Sequence, residues 1–209
     1  MRVLLAQQVA CEKSDRQLFS DINIELHSGQ LLYVTGENGA GKTSLLRILV
    51  GLSQPAAGHV EINGHDVHKV VHGASERLLY FGHKQGISQL LTATENLRFW
   101  CQQHAIDTND EAIHVTLAEL GLTGLEDIAV KNLSAGQQRR VALAKLWLKT
   151  DANLWVLDEP FTALDVHLIA ELESKMRVFL EAGGAIVMTS HQALNIDYPM
   201  SNLHLEYSW

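Results

Sequence analysis

Cysteine is almost absent from this chain: Cys11 and Cys101 are the only two in 209 residues. Two thiols make neither a disulfide framework nor a metal cluster, which fits a reducing cytosol and a pair of inert side chains. Long apolar runs are missing too. No stretch approaches the ~20 residues that span a bilayer, so any service to a membrane passes through a partner. At the start, residues 1–6 carry one positive charge and a short apolar stretch ahead of Gln7 and Gln8. Val9-Ala10-Cys11 faintly suggests a lipoprotein cleavage site, but the apolar stretch is shorter than the ~7–15 residues such a signal needs. A first β-strand explains it better. Basic charge is also in deficit, with 16 Lys and Arg against 24 Asp and Glu and a net charge of -8. That leaves no positive field for nucleic acid or anionic lipid and argues against both as main partners. No low-complexity tract, repeat or flexible linker occurs.

What the chain does have is enough apolar residue, 46% against 19% charged, for one substantial core with an inserted lobe. Strand patterns fall at 3–9, 22–26, 31–35, 59–62, 78–81, 154–158 and 185–189. The last two are continuous apolar runs, as expected of strands buried on both faces of a parallel sheet. A helix is expected over 42–50, closed by Gly51 and Pro55. Apolar spacing of three or four predicts further helices over 95–103, 111–120 and 137–148, and one more between the last two strands. The reading is an α/β core interrupted by a helical lobe.

The segment Gly36-Glu37-Asn38-Gly39-Ala40-Gly41-Lys42-Thr43 matches the P-loop pattern and stands between a strand and a helix, where its mechanism requires it. Glycines let backbone N–H groups curl around phosphate oxygens, and the following helix adds its positive end. Lys42 is placed to reach the β- and γ-phosphates and the Thr43 hydroxyl to sit on Mg²⁺; Ser44 completes the loop. Chance would produce this pattern in under about one chain in a hundred of this length. The chain therefore binds nucleoside triphosphate.

A second motif follows the apolar strand Leu154-Trp155-Val156-Leu157, which runs into Asp158-Glu159-Pro160. A carboxylate at a strand's end suits Mg²⁺, usually through water, and that role falls to Asp158. The adjacent Glu159 suits polarisation of an attacking water. A lone Asp-Glu pair is commonly just a solvated turn; beside a P-loop that becomes the minority reading.

Between the two motifs stands Leu133-Ser134-Ala135-Gly136-Gln137-Gln138-Arg139-Arg140-Val141-Ala142-Leu143-Ala144. It resembles the signature of ABC ATPases, with Ala135 where the commonest form has glycine. Thr162-Ala163-Leu164-Asp165 resembles their D-loop, and His191, after the strand at 185–189, their switch histidine. Order and spacing agree over nearly the whole chain. The resemblance implies a P-loop NTPase fold of ABC type over 1–209. Residues 1–85 and 151–209 would form a mainly parallel RecA-like core with an antiparallel β lobe, and 86–150 a helical subdomain. It also implies a head-to-tail homodimer, with each ATP and its Mg²⁺ held between one P-loop and the partner's Ser134, Gly136 and Gln137. The chemistry agrees: Ser134 and Gly136 would open the helix over 137–148, bringing hydroxyl and N–H groups to a γ-phosphate. His191 would hold that phosphate and keep Glu159 and its water in line.

Further features are similar to the ATP-binding subunit of haem-exporter-type transporters of cytochrome c maturation. They are the short length, Gly82-His83-Lys84-Gln85-Gly86-Ile87, Leu91-Thr92-Ala93-Thr94-Glu95-Asn96-Leu97, and the run from Asp158 to Asp165. This resemblance implies a peripheral subunit on the cytoplasmic face of the inner membrane, bound to integral membrane subunits and itself holding no haem. Its docking groove would be lined from about Ile87 to Trp100. The four histidines His59, His65, His68 and His72 are read as a solvated edge of the β lobe, since no Cys-x-x-Cys-His motif accompanies them.

The chain departs from the general ABC pattern at two places. The glutamine that touches Mg²⁺ and senses the membrane subunit is replaced, by spacing, with His83, while Gln85 is two residues later; either could take the role. No aromatic residue stands near residue 13 to stack on adenine, which leaves looser base selectivity or stacking by Arg16. A soluble scaffold ATPase of iron–sulfur cluster assembly would share every nucleotide motif and is the alternative. DNA-repair and chromosome-organising relatives carry coiled coils or zinc modules that this chain lacks.

Overall fold

The computed structural model describes residues 1–13, 16–69, 76–190 and 196–206. His72 and His191 lie outside the described residues. The chain divides into two compact units. The first comprises Met1–His83, Ala152–Phe161 and Glu171–Trp209, the second Lys84–Asp151 and Thr162–Ala170.

In the first unit, strands β1 (Arg2–Lys13), β2 (Arg16–His27), β4 (Ala57–Ile62) and β5 (His65–Asp66) form an antiparallel sheet in the order β2-β1-β4-β5. Strands β3 (Leu31–Gly36), β6 (Leu78–Phe81), β7 (Leu154–Asp158), β8 (Ala185–Thr189) and β9 (Met200–Leu205) form a parallel sheet in the order β6-β7-β8-β3-β9. Every residue of β7 and β8 is buried, which is why both read as unbroken apolar runs. β9 escapes sequence reading because Ser201, Asn202 and His204 interrupt it; as an edge strand it buries only Leu205 fully. Helix α1 (Lys42–Leu49) packs against strands of both sheets. Its Leu45, Leu46, Ile48 and Leu49 join Val3, Leu4, Val34, Val60, Val156 and Val187 in one core.

The second unit holds α2 (Ala93–Gln103), α3 (Asp110–Glu119), a 3₁₀ turn at Val130–Asn132, α4 (Ala135–Leu143) and α5 (Lys145–Leu148). Thr92 caps α2 in a reciprocal capping box with Glu95, and Asn109 caps α3. The single helix expected over 137–148 is instead α4 and α5, divided at Ala144. There the Ala144 carbonyl accepts from both Trp147 and Leu148 N–H groups, a shared bond that tightens the turn. Helix α6 (Val166–Glu181) carries the chain from the second unit back to the first.

Of the histidines read as a solvated edge, His65 is exposed and His59 half-buried beside Glu61. His68 departs from that reading, for both its ring nitrogens are buried. Cys11 and Cys101 are free and buried. Burial pushes the Cys101 thiol up to about 11, which keeps it protonated and unreactive at neutral pH.

Candidate nucleotide site and signature helix

The P-loop leaves β3 at Gly36, whose φ of 145° lies in the region that favours glycine. A Cβ there would come within 2.5 Å of the Leu205 carbonyl on β9, so the close approach of the edge strand also demands glycine. The loop ends at Gly41, which precedes α1 with no side-chain cap. The N–H groups of the helix's first turn are therefore free of any capping side chain and point into the loop. Lys42 is buried at its base, and its Nζ donates to the carbonyls of Gly36 at 2.7 Å and Glu37 at 3.1 Å. Those two bonds fix the ammonium over the loop and leave one donor for a phosphate oxygen. Thr43 is exposed and Ser44 half-buried.

Asp158 ends β7 and Glu159 follows it, in the same unit. Parallel pairing places Asp158 opposite Thr189 of β8. The Thr189 hydroxyl donates to Asp158 Oδ1 at 2.9 Å and accepts from the Glu159 N–H at 3.0 Å. One hydroxyl thus holds the Asp158 carboxylate and the backbone of Glu159. Asp158 Oδ2 is buried with no hydrogen-bond partner among the described residues, an acceptor whose desolvation calls for a cation or a bound water. Glu159 has φ 53°, an uncommon conformation for a non-glycine residue and one that costs of order 1 kcal/mol. Its side chain is half exposed. Tyr33 donates to the Ser190 carbonyl at 2.8 Å. Burial pushes its phenol up, and the Glu159 charge adds to that shift. Burial likewise raises the Tyr80 phenol, with the Asp158 charge adding. Thr189 was not legible as a functional residue; its only signal is that a run of apolar residues ends in a hydroxyl beside His191.

A cleft of about 540 Å³ adjoins the P-loop. Cys11, Glu12 and Lys13 line it together with Thr43, Ser44, Arg47 and Ile48 of α1 and with Ser53 and Gln54. No aromatic ring and no atom of Arg16 lines it among the described residues.

In the second unit, Ser134 caps α4. Its hydroxyl accepts from Gln137 N–H at 3.2 Å, and Gln137 Oε1 accepts from Ser134 N–H at 2.8 Å. This capping box puts Ser134 just ahead of the helix, which begins at Ala135 and not, as expected, at Gln137. The Ser134 hydroxyl keeps its own proton for an acceptor. A Cβ on Gly136 would lie 3.8 Å from the Ala163 carbonyl, so signature and D-loop are neighbours. Asp165 Oδ1 accepts from the N–H groups of Leu168 at 3.0 Å and His167 at 3.1 Å, and Oδ2 pairs with Arg140 of α4. The Leu168 N–H, with help from the Arg140 charge, holds the Asp165 carboxyl below the usual carboxylate range. Arg140 also donates to the Leu120 carbonyl at 2.8 Å.

The remaining expectations fall at the passage between units. His83 is exposed and ends one segment of the first unit, while half-buried Gln85 belongs to the second. Leu90 is 77% exposed and Phe99 56%, whereas Leu91 and Trp100 are partly buried.

The family model described as ABC transporter matches residues 19–162. The cytochrome c biogenesis ATP-binding export protein CcmA of Escherichia coli K12 is 48% identical over 94% of this chain and 92% of its own length. A solved ATP-binding subunit of an ABC transporter superposes with a TM-score of 0.88 at 21% identity, covering 98% of this chain and 88% of that one. An ATP-binding cassette solved as a dimer in a post-hydrolysis state, with ADP and Pi, gives 0.84 at 19% identity, covering 99% and 97%. At those identities the solved structures establish the fold. No helix among the described residues is long and apolar enough to cross a membrane. Matched by the family over most of its length, and by a relative nearly half identical along almost all of it, the chain belongs to the ABC transporter ATP-binding proteins, in the group of cytochrome c biogenesis ATP-binding export proteins, and it binds and hydrolyses ATP.

Proposed function

We propose that this ATPase drives the haem-handling transporter of cytochrome c biogenesis from the cytoplasmic face of the inner membrane. The observation that carries the chemical reading is the single Thr189 hydroxyl that holds the Asp158 carboxylate and the backbone of Glu159. The identity to an ATP-binding export protein of cytochrome c biogenesis supports the biological one. Nothing comparable supports the iron–sulfur scaffold, which is not favoured.

The P-loop backbone and Lys42 bind the triphosphate, and the cleft beside Thr43 and Ser44 receives the base. Polar side chains such as Gln54 and Ser53, not a stacking ring, would contact it there. The residues present fit Mg²⁺: buried, unpartnered Asp158 Oδ2 and the exposed Thr43 hydroxyl are the hard oxygen donors that ion prefers. When bound, Mg²⁺ would offset the negative charge of the triphosphate. Glu159 accepts a proton from the attacking water as that water displaces ADP from the γ-phosphorus. Its left-handed backbone and the Thr189 bond hold its direction. His191, outside the described residues, is assigned to orient the γ-phosphate. A second copy of the chain supplies the Ser134 hydroxyl proton and the Gly136 N–H, with Gln137 holding Ser134 in its cap and Asp165 behind them. His83 or Gln85 reports the membrane subunit to the site. Exposed Leu90 and Phe99 receive that subunit, and haem is left to it.

Glu159→Gln tests this reading. ATP binding should be retained, turnover should fall at least about 100-fold, and the closed dimer should accumulate on size-exclusion chromatography with ATP. Near-normal hydrolysis would remove Glu159 from the role.

A further inference from the structure

Lys145, on α5, is one of three buried cations in the second unit, with Arg139 and Lys149. Its Nζ donates to the backbone carbonyls of Gln85 and Gly86, each at 3.0 Å. It also stands 5.8 Å from the centroid of the Trp100 ring on α2, within cation–π range. Those carbonyls are neutral, and burial alone pulls the ammonium down to about 8. A charge kept in such a place costs stability that an apolar side chain would not. What it gains is geometric. Lys145 follows Ala144 directly, so it rides on the continuation of the helix that Ser134 caps. The loop it grips is the first stretch of chain after His83, where one unit passes to the other.

We propose that Lys145 is a positioning residue that ties the Gln85–Gly86 backbone to the signature helix, so that loop and signature shift together. This deepens the proposed function and rests on its reading of this loop as the sensor of the membrane subunit. The grip acts on backbone, not side chain, so it operates whichever of His83 and Gln85 contacts the nucleotide. Trp100 closes the other side of the ammonium, and His104 stacks on that ring with centroids 4.3 Å apart. The clamp therefore joins three segments of the lobe: the loop, α2 and α5.

The test compares wild type, Lys145→Met and Lys145→Arg in the purified complex with its membrane subunits. ATP is the ligand, and hydrogen exchange is read peptide by peptide. Lys145→Met keeps the bulk and loses both donors; exchange over 84–88 should rise at least about tenfold while P-loop peptides stay protected. ATP KM should remain within about twofold, and complex-stimulated kcat should fall roughly tenfold. Lys145→Arg keeps charge and donors and should restore most of both. If Lys145→Met does not accumulate as folded protein, Lys145→Gln, too short to reach the carbonyls, takes its place. Unchanged exchange over 84–88 overturns the clamp, as does an equal loosening with Arg and Met. Loosened exchange with unaltered stimulation leaves the clamp standing and overturns the sensor reading of the loop.

Discussion

The two units hold their functional atoms by different means. In the first, the chemistry hangs on contacts between residues far apart in sequence. Asp158 meets Thr189 because β7 and β8 pair in one register, and Gly36 is confined by Leu205. In the second, the groups are set locally: Ser134 and Gln137 cap each other three residues apart, and Asp165 binds the first turn of its own helix. The first unit buries its acid at Asp158, whereas the second leaves Ser134 exposed and carries bare Leu90 and Phe99. One arrangement suits chemistry in fixed geometry, the other suits surfaces that meet partners.

The comparison breaks first at Leu90. Replacing it with Asp should leave the fold and nucleotide binding intact and abolish membrane association, read by cell fractionation. Sedimentation with the membrane at wild-type levels would place docking elsewhere and strip the second unit of its outward role. Next in size is Thr189→Val, which keeps shape and removes the hydroxyl shared by Asp158 and Glu159. Turnover should drop about tenfold, with ATP affinity nearly unchanged; a silent variant would mean that register alone suffices.

The passage between units gives a smaller effect. His83→Ala should weaken partner-stimulated turnover more than Gln85→Ala, as spacing places His83 at the sensing position. The reverse order, measured in the assembled complex, would move the sensor into the second unit. Smallest is a stability effect of Lys145. Burial pulls its ammonium down to about 8 from the ordinary lysine value of 10.5, so between those values the unfolded chain binds more protons. Stability should therefore rise with pH across that window, by about 2 kcal/mol once relaxation is allowed for. Urea melts of wild type should show that slope, and those of Lys145→Met should lack it.

How much was legible in sequence follows the same division. The signature, the D-loop and the P-loop are contiguous strings whose local geometry is encoded by glycines and caps, so they could be read directly. The role of Thr189 could not, because it depends on which strands become neighbours. β9 was lost for a related reason: an edge strand with one face exposed needs little apolar sequence, and Ser201 and Asn202 mask it. The break at Ala144 leaves no trace in the spacing, since the apolar period continues through it.

Sheet order also imposes a schedule on synthesis. β3 carries the P-loop, yet its neighbours in the sheet are β8 and β9. Their residues, from Ala185 to Thr189 and from Met200 to Leu205, are translated roughly 150 residues after Gly36. At about 5–20 residues per second, the strand bearing the phosphate loop waits on the order of 10–30 s for a partner. A nascent chain therefore carries the complete P-loop motif long before the strand that bears it has either of its sheet neighbours.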